Sequence, residues 1–163
     1  MIEKTFVMIK PDGLKRGLVG EIIKRLECRG LKLLALKMDW IDEDFAKKHY
    51  TQDIADRRGE AVRTALLKYV REGPIVAMVW EGVNAIEVVR KIVGGTEPKS
   101  AAPGTIRGDF CHMSYSYADK NALPVKNLIH ASGDAKDAGY EVSLWFSQSD
   151  MYTYKSHHDI EHR

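Results

Sequence analysis

A histidine that follows a short apolar segment is the first candidate for chemistry in this sequence. The apolar residues of Val125–Ile129 predict a short buried strand, and His130 comes directly after it. The small residues 131–133 leave room for another group to approach the imidazole closely. Imidazole titrates near neutral pH and can act as a nucleophile. We therefore treat His130 as a candidate nucleophile, with a hydrogen-bonded core histidine as the alternative.

A carboxylate on the following helix can orient this histidine. Ser132 or Asp134 can cap a helix that begins after residue 134, because both side chains accept hydrogen bonds from the N–H groups of a first helical turn. Glu141 lies about two turns, or ~10 Å, further along that helix. If the helix folds back over the sheet, Glu141 reaches His130. A carboxylate bound to one ring nitrogen fixes the tautomer and leaves the other nitrogen available as a nucleophile.

Three cations and one hydroxyl supply the groups that a polyphosphate ligand needs. Lys10 ends the first apolar strand, Arg90 lies beside the apolar stripe of a helix, and Arg107 lies in a glycine-bearing turn. Each of them alone is explained as a solvated surface charge. Together with the hydroxyl of Thr96 they could hold a di- or triphosphate, since arginine binds phosphate oxygens in pairs and lysine acts as a point charge.

The motifs that other phosphate-binding and catalytic folds require are absent from the sequence. There is no GxxxxGK[ST] loop, no GxGxxG, no kinase HRD or DFG set and no GxSxG elbow. Four further histidines raise the question of a metal site, and one pair has helical i, i+4 spacing without a third ligand. We predict no metal ligands from the protein. These histidines are His112, His157, His158 and His162.

Composition indicates one ordinary globular domain. The chain has 163 residues, 44% of them hydrophobic and 29% charged, with a net charge of +2. Such a weak positive charge gives no reason to expect a specific nucleic-acid partner. Cys28 and Cys111 fit two free thiols in a reducing compartment. Because no signal pattern or membrane-length apolar run occurs, we expect a cytoplasmic protein without a membrane partner.

Hydrophobic periodicity predicts four strands and five helices. Gly30 closes the first helix, Asp42 caps the second, and the last helix should bury Ala135, Ala138, Val142 and Trp145. Residues 10–13, 95–103 and 111–124 are predicted loops or surface segments. The predicted strands are Thr5–Ile9, Leu31–Trp40, Ile75–Trp80 and Val125–Ile129, and the helices are Val19–Leu26, Asp42–Tyr50, Gly59–Arg71, Asn84–Val93 and Ala135–Trp145.

This order of elements predicts an α+β fold of the ferredoxin-like class. Two βαβ-like halves would form a four-stranded antiparallel βαββαβ sheet with helices on one face, plus extra helices. A doubly wound α/β fold is the alternative. We expect one domain over residues 1–163, with a polar C-terminal tail at 147–163.

Several segments, taken in order, resemble the nucleoside diphosphate kinase family. They are MIKPDGLKRGLVGEII from residue 8, HY at 49–50, GPIVAMVWEG from residue 73, PGTIRGDF from residue 103, NLIHAS from residue 127 and EVSLWF from residue 141. The resemblance runs from about residue 5 to residue 146. By comparison with this family, residues near 111–126 form an insertion.

The resemblance implies a ping-pong transfer of the γ-phosphate from a nucleoside triphosphate, mainly ATP, to a nucleoside diphosphate through a phosphohistidine on His130. It also implies Mg²⁺ bridging the nucleotide phosphates, and a homo-oligomer, a hexamer in preference to a tetramer. The implied catalytic residues are His130, Glu141, Ser132, Lys10 and Tyr50. The implied nucleotide-binding residues are Lys10, Arg90, Thr96, Arg107 and Asn127.

Two departures from the family pattern affect this interpretation. Gly133 stands where the family usually has aspartate, and Asp134 follows one position later. Between Tyr50 and Lys68 the chain also lacks the aromatic residue that usually stacks on the base. The candidates to replace that ring are the guanidinium of Arg57 or Arg58 and the aliphatic side chain of Val62.

Two other functions remain open from the sequence. Ferredoxin-like sheets can bind RNA, although this chain has no RNP-like aromatic octamer and little basic charge. A catalytically silent relative that binds nucleotides as an assembly subunit is the other alternative, and Gly133 and the missing aromatic residue are the features that favour it.

Overall fold

The computed structural model describes residues 1–157 and contains a four-stranded antiparallel sheet in the order β2-β3-β1-β4. Predictions that concern residues 158–163, including His158, His162 and the end of the polar tail, lie outside the described residues. The strands are β1 (Ile2–Ile9), β2 (Lys32–Asp39), β3 (Ile75–Val83) and β4 (Ile129–Ala131). The helices are α1 (Pro11–Lys15), α2 (Val19–Cys28), α3 (Glu43–His49), α4 (Gln52–Arg58), α5 (Glu60–Val70), α6 (Ala85–Val93), α7 (Ile106–Phe110), α8 (Tyr115–Lys120) and α9 (Ala135–Trp145).

The strand order confirms the predicted ferredoxin-like α+β class. β1 lies inside the sheet and pairs antiparallel with both β3 and β4. In the β1–β4 ladder, Met8 is opposite His130. The short edge strand β4 therefore fixes His130 beside the C-terminal end of β1, where Lys10 begins the next segment.

Helices cover both faces of the sheet rather than one. Val7 and Ile9 of β1 belong to a core with α2 and α6, whereas Phe6 and Met8 belong to a second core with α3, α5 and α9. The cause is visible in the sequence, because residues 6–9 are apolar without alternation, which is typical of a strand buried on both sides. The extra helices that we expected thus form a second layer.

Four short helices, α1, α4, α7 and α8, occupy segments for which we predicted no helix. α1 begins at Pro11, which suits a first helical position because its missing N–H would have no intrahelical partner there. α4 has no buried residue and therefore gives no periodic apolar signal. α8 follows Ser114, whose hydroxyl accepts a hydrogen bond from Tyr117 N at 3.2 Å.

The last strand and helix also differ in detail from the prediction. β4 begins at Ile129 rather than Val125, and Leu128 has a positive φ of 68°, which extended strand does not allow. In α9, Ala135 is exposed, Val142 is partly buried, and the buried positions are Ala138, Glu141 and Trp145. A glutamate on a buried face breaks the hydrophobic pattern, and its reason is the site described below.

The segment after α9 runs along the free edge of β2. Tyr152 N donates to Leu34 O at 2.9 Å, and the Tyr154 hydroxyl donates to Leu33 O at 2.9 Å. Covering unpaired backbone groups reduces the exposure of an edge strand. Within residues 1–157, no helix is both long and apolar enough to cross a bilayer.

We expect Gly108→Ala to destabilise the protein. The added Cβ would overlap the carbonyl oxygen of Ala102, and backbone would have to shift to relieve the contact. The expected loss in unfolding free energy is about 1–3 kcal/mol. Gly139→Ala in α9 is the control, because nothing lies within 4 Å of its added Cβ, and it should gain about 0.5–1 kcal/mol. Urea unfolding followed by circular dichroism measures both, and an unchanged midpoint for Gly108→Ala would contradict this close approach.

Candidate active site

A hydrogen-bonded chain of three side chains orients His130. The imidazole Nε2 lies 2.6 Å from Glu141 Oε1, and the Ser132 hydroxyl donates to Glu141 Oε2 at 2.6 Å. With a carboxylate at Nε2, the proton is placed on that nitrogen and Nδ1 keeps its lone pair. This is the arrangement expected from the spacing of His130 and Glu141 in the sequence. The imidazole is 23% exposed, whereas the carboxylate is 9% exposed.

The β4–α9 connection sets this geometry. Asp134 caps α9, since its carboxylate accepts from Asp137 N at 2.9 Å. Ser132, the other predicted cap, instead accepts from Phe6 N at 3.2 Å and donates to Glu141. Of the two predicted caps, Asp134 therefore caps α9, one position after the place where the family usually has aspartate, and Ser132 is left to tie β1, β4 and α9 together.

A second buried histidine, which we noted only within a sequence motif, lies beside the first. The ring centroids of His49 and His130 are 4.7 Å apart with the planes nearly perpendicular. Burial, together with the neighbouring charges of His130 and Lys10, holds the pKa of His49 well below its usual range. His49 is therefore neutral at physiological pH and adds no positive charge next to His130.

The tautomer of His49 bears on whether this cluster is a metal centre. One possible ligand atom from each of His49, His130 and Glu141 lies within 4.8 Å of the others. Trp145 Nε1 donates to His49 Nδ1 at 3.2 Å, which places the remaining proton on Nε2. That nitrogen is buried with no partner among the described residues, and it presents a donor rather than a metal ligand.

Lys10 and Asn127 form a buried polar link beside the histidine. Lys10 Nζ donates to Asn127 Oδ1 at 2.8 Å, and Asn127 Nδ2 donates to the backbone oxygen of Thr96 at 2.9 Å. Lys10 is only 4% exposed, and burial, reinforced by the charge of Arg107, lowers its pKa to about 7. Among the described residues no carboxylate forms an ion pair with this ammonium, which leaves it suited to an anionic ligand.

Arg107 is held by backbone carbonyls. Its guanidinium donates to Ile129 O at 2.6 Å, to Gly94 O at 3.1 Å and to Asn127 O at 3.2 Å. Burial lowers its pKa to about 10, so it stays cationic at neutral pH. Arg107 therefore joins three chain segments around the site and also contributes positive charge to it.

The remaining predicted residues complete the lining. Arg90 is exposed on α6, and Thr96 is exposed in the loop that follows it. Tyr50 is buried, its ring centroid lies 6.4 Å from that of His130, and its hydroxyl has no partner among the described residues. Burial and the nearby Glu141 carboxylate raise the pKa of Tyr50, which keeps the phenol protonated.

These side chains line one cavity of about 400 Å³. All the predicted site residues border it except Ser132, which supports Glu141 from behind. The three residues that we considered as base contacts, Arg57, Arg58 and Val62, also line it, at the end formed by α4 and α5. The cavity combines the imidazole of His130, a candidate nucleophile, with the fixed cations Lys10 and Arg107. These are the groups that phosphoryl transfer through a histidine requires.

Comparisons with known proteins agree with this chemistry. The sequence profile of the nucleoside diphosphate kinase family matches residues 3–151. A nucleoside diphosphate kinase of Borreliella burgdorferi is 45% identical over 99% of this chain and 98% of its own length. One of Archaeoglobus fulgidus is 48% identical over 94% of this chain and 93% of its own.

Solved structures give the same result. A transition-state mimic of nucleoside-diphosphate kinase from Borrelia burgdorferi, with bound vanadate and ADP, superposes with a TM-score of 0.96 at 46% identity, covering 99% of this chain and 96% of that one. A halophilic enzyme of Halobacterium salinarum in complex with CDP gives a TM-score of 0.85 at 37% identity, with coverage of 99% and 98%. By sequence, fold and site geometry alike, this chain belongs to the nucleoside diphosphate kinase family.

Proposed function

We propose that this protein moves the γ-phosphate of a nucleoside triphosphate to a nucleoside diphosphate through a phosphohistidine at Nδ1 of His130. The observation that carries the proposal is the bond between Glu141 and His130 Nε2, which leaves Nδ1 as the free nucleophile. The Nδ1 lone pair attacks the γ-phosphorus, an N–P bond forms, and the bond to the β,γ-bridging oxygen breaks. A β-phosphate oxygen of the second nucleotide then attacks phosphorus and breaks the N–P bond.

The other site residues stabilise the charges that develop on the imidazole and on the nucleotide phosphates during the transfer. As Nδ1 attacks, positive charge develops on the imidazole, and the Glu141 carboxylate stabilises it while the proton stays on Nε2. Lys10, Arg90 and Arg107 face the phosphates and stabilise the leaving diphosphate. Tyr50 and Asn127 border the same end of the cavity and position Lys10 and the phosphoryl group.

In the same proposal, Mg²⁺ would enter the site together with the nucleotide, as the counter-ion of its phosphates. Among residues 1–157, four acidic side chains line the cavity: Glu141 binds His130 and Ser132, Asp53 binds Arg57, and Asp119 and Asp137 are exposed to solvent. The ion would therefore be coordinated mainly by phosphate oxygens and water, which suits its preference for retaining water ligands. When bound, the ion would neutralise part of the negative charge of the phosphates.

The proposal also covers the oligomeric state, the cellular compartment and the domain organisation of the protein. Leu36, Met38 and Trp40, at alternate positions along and just beyond the edge strand β2, are 48%, 65% and 66% exposed. Apolar side chains exposed on an edge strand support a homo-oligomer, and the preference for a hexamer over a tetramer comes from the family resemblance. The unpaired Cys28 and Cys111 support a reducing, cytoplasmic setting. One domain over 1–163, with an insertion near 111–126 and a tail at 147–163, stays a prediction.

The experiment that tests the function is a two-step transfer. We expect γ-labelled ATP with Mg²⁺ to label the protein, and GDP or CDP added after removal of free nucleotide to collect the label as GTP or CTP. His130→Ala should take up no label, because no other nitrogen replaces Nδ1, whereas the exposed His112→Ala should behave like wild type. Nucleotide binding without labelling of the wild type would favour a silent assembly subunit, and labelling of His130→Ala would refute the carrier.

Arg90 and Arg107 should respond differently to truncation. Arg90→Ala should lower kcat/KM on the order of 10²–10³-fold with little change in unfolding free energy, since Arg90 is exposed. Arg107→Ala should cost similar activity and also about 1–3 kcal/mol of stability, because three backbone carbonyls lose their donor. Steady-state kinetics and urea unfolding separate the effects. A loss below tenfold for Arg90→Ala would remove it from the phosphate-binding set.

Nucleotide binding should take up a proton at pH 8. Burial lowers the pKa of Lys10 to about 7, so at pH 8 the free protein holds Lys10 mostly neutral. Phosphate oxygens favour the ammonium form and raise this pKa in the complex, so affinity should fall as pH rises above 7. Calorimetry in two buffers of different ionisation enthalpy measures the uptake. Lys10→Met should abolish it, and uptake that persists would assign the proton to another group.

A further inference from the structure

The end of the cavity away from His130 lacks an aromatic side chain on one wall. That wall is the α4–α5 hairpin, and the sequence has no aromatic residue between Tyr50 and Tyr69. The hairpin presents Ile54, Arg58 and Val62 to the cavity instead. Aliphatic and guanidinium groups can contact a nucleobase, but neither offers the stacking area of a fixed ring.

The opposite wall comes from the segment 111–126. Tyr115, Leu123 and Pro124 of this segment line the same cavity as His130 and Lys10. Tyr115 is the first residue of α8, and its ring meets the Arg58 side chain across the cleft, with Arg58 Cζ 5.1 Å from the ring centroid. The cation–π pair formed by Arg58 and Tyr115 therefore joins the two walls.

The segment holds Tyr115 in place by bonds that do not involve the ligand. Tyr115 N donates to Glu97 Oε1 at 2.9 Å, and Lys99 N donates to Met113 O at 3.0 Å. Ala118, in the next turn of α8, is fully buried. Tyr115 is thus anchored to the loop that carries Thr96, and its ring is positioned before any nucleotide binds.

From these contacts we infer that the Arg58–Tyr115 pair is the platform on which the nucleobase stacks, and that supplying its ring is the role of the segment 111–126. The inference rests on the proposed function, because it assigns the base end of the same nucleotide cleft. Aromatic rings and guanidinium planes stack on the flat face of any base without reading its edge. The ligand class is therefore a purine or pyrimidine nucleotide, with purines favoured by their larger stacking area.

The test compares two tyrosines of α8. Tyr115→Ala should raise KM for ATP and GDP on the order of tenfold, and it should affect pyrimidine nucleotides less. Tyr115→Phe, which keeps the ring, should remain near wild type. Tyr117→Ala is the matched control, because Tyr117 is 57% exposed on the same helix and does not border the cavity. Arg58→Ala should raise KM in the same direction as Tyr115→Ala.

A phosphoryl donor without a nucleobase distinguishes a loss of base stacking from a structural effect of the substitution. Inorganic triphosphate with Mg²⁺ should label His130 at the same rate in wild type and in Tyr115→Ala, since it has no base to stack. Equal losses with triphosphate and ATP would overturn the inference in favour of a structural role. A loss in Tyr115→Phe as large as in Tyr115→Ala would overturn it in favour of the hydroxyl. If the wild type takes up no label from γ-labelled ATP, that result would instead refute the proposed function.

Discussion

The contact between Glu141 and His130 is the interaction on which the rest of this structure depends. A carboxylate that is 9% exposed is costly to bury, and this one is satisfied by the imidazole and by the Ser132 hydroxyl. The three residues come from an edge strand, the turn after it and the second turn of a helix. Their contact therefore requires that α9 fold back over β1, and the stacking of Trp145 on Phe6 at the other end of α9 fixes that direction.

Buried positive charge sets the second constraint. Lys10 and Arg107 lie close enough for their charges to repel, and among the described residues no carboxylate forms an ion pair with either, although Asp12 lies near enough to act on the pKa of Lys10. The fold tolerates Arg107 by giving it three backbone carbonyls, and it tolerates Lys10 by letting its pKa fall to about 7. A ligand with several negative charges would reduce the cost of burying both cations, which is consistent with the proposed binding of nucleotide phosphates at this end of the site.

Much of this arrangement could be predicted from the sequence because its signals are local. The seven-residue spacing from Asp134 to Glu141 and the apolar runs at 6–9 and 75–80 lead directly to the relay and to the central strands. Other features depend on tertiary contacts. Nothing near Arg107 in sequence reveals that it binds Gly94, and nothing near His49 reveals that Trp145 fixes its tautomer. α4 escaped prediction because none of its residues is buried.

The phosphate end and the base end of the cleft differ in their side chains because they meet different requirements. In a ping-pong reaction, donor and acceptor occupy one site in turn, and they share phosphates and ribose but differ in their bases. In the proposed function, the phosphate end therefore uses buried, fixed groups such as Lys10 and Arg107, whose precise position would stabilise the transition state. In the same proposal the base end has to hold unlike rings. The exposed guanidinium of Arg58 and the half-buried ring of Tyr115 offer flat surfaces and few directional bonds, so they would meet this requirement in place of the aromatic residue usual in the family.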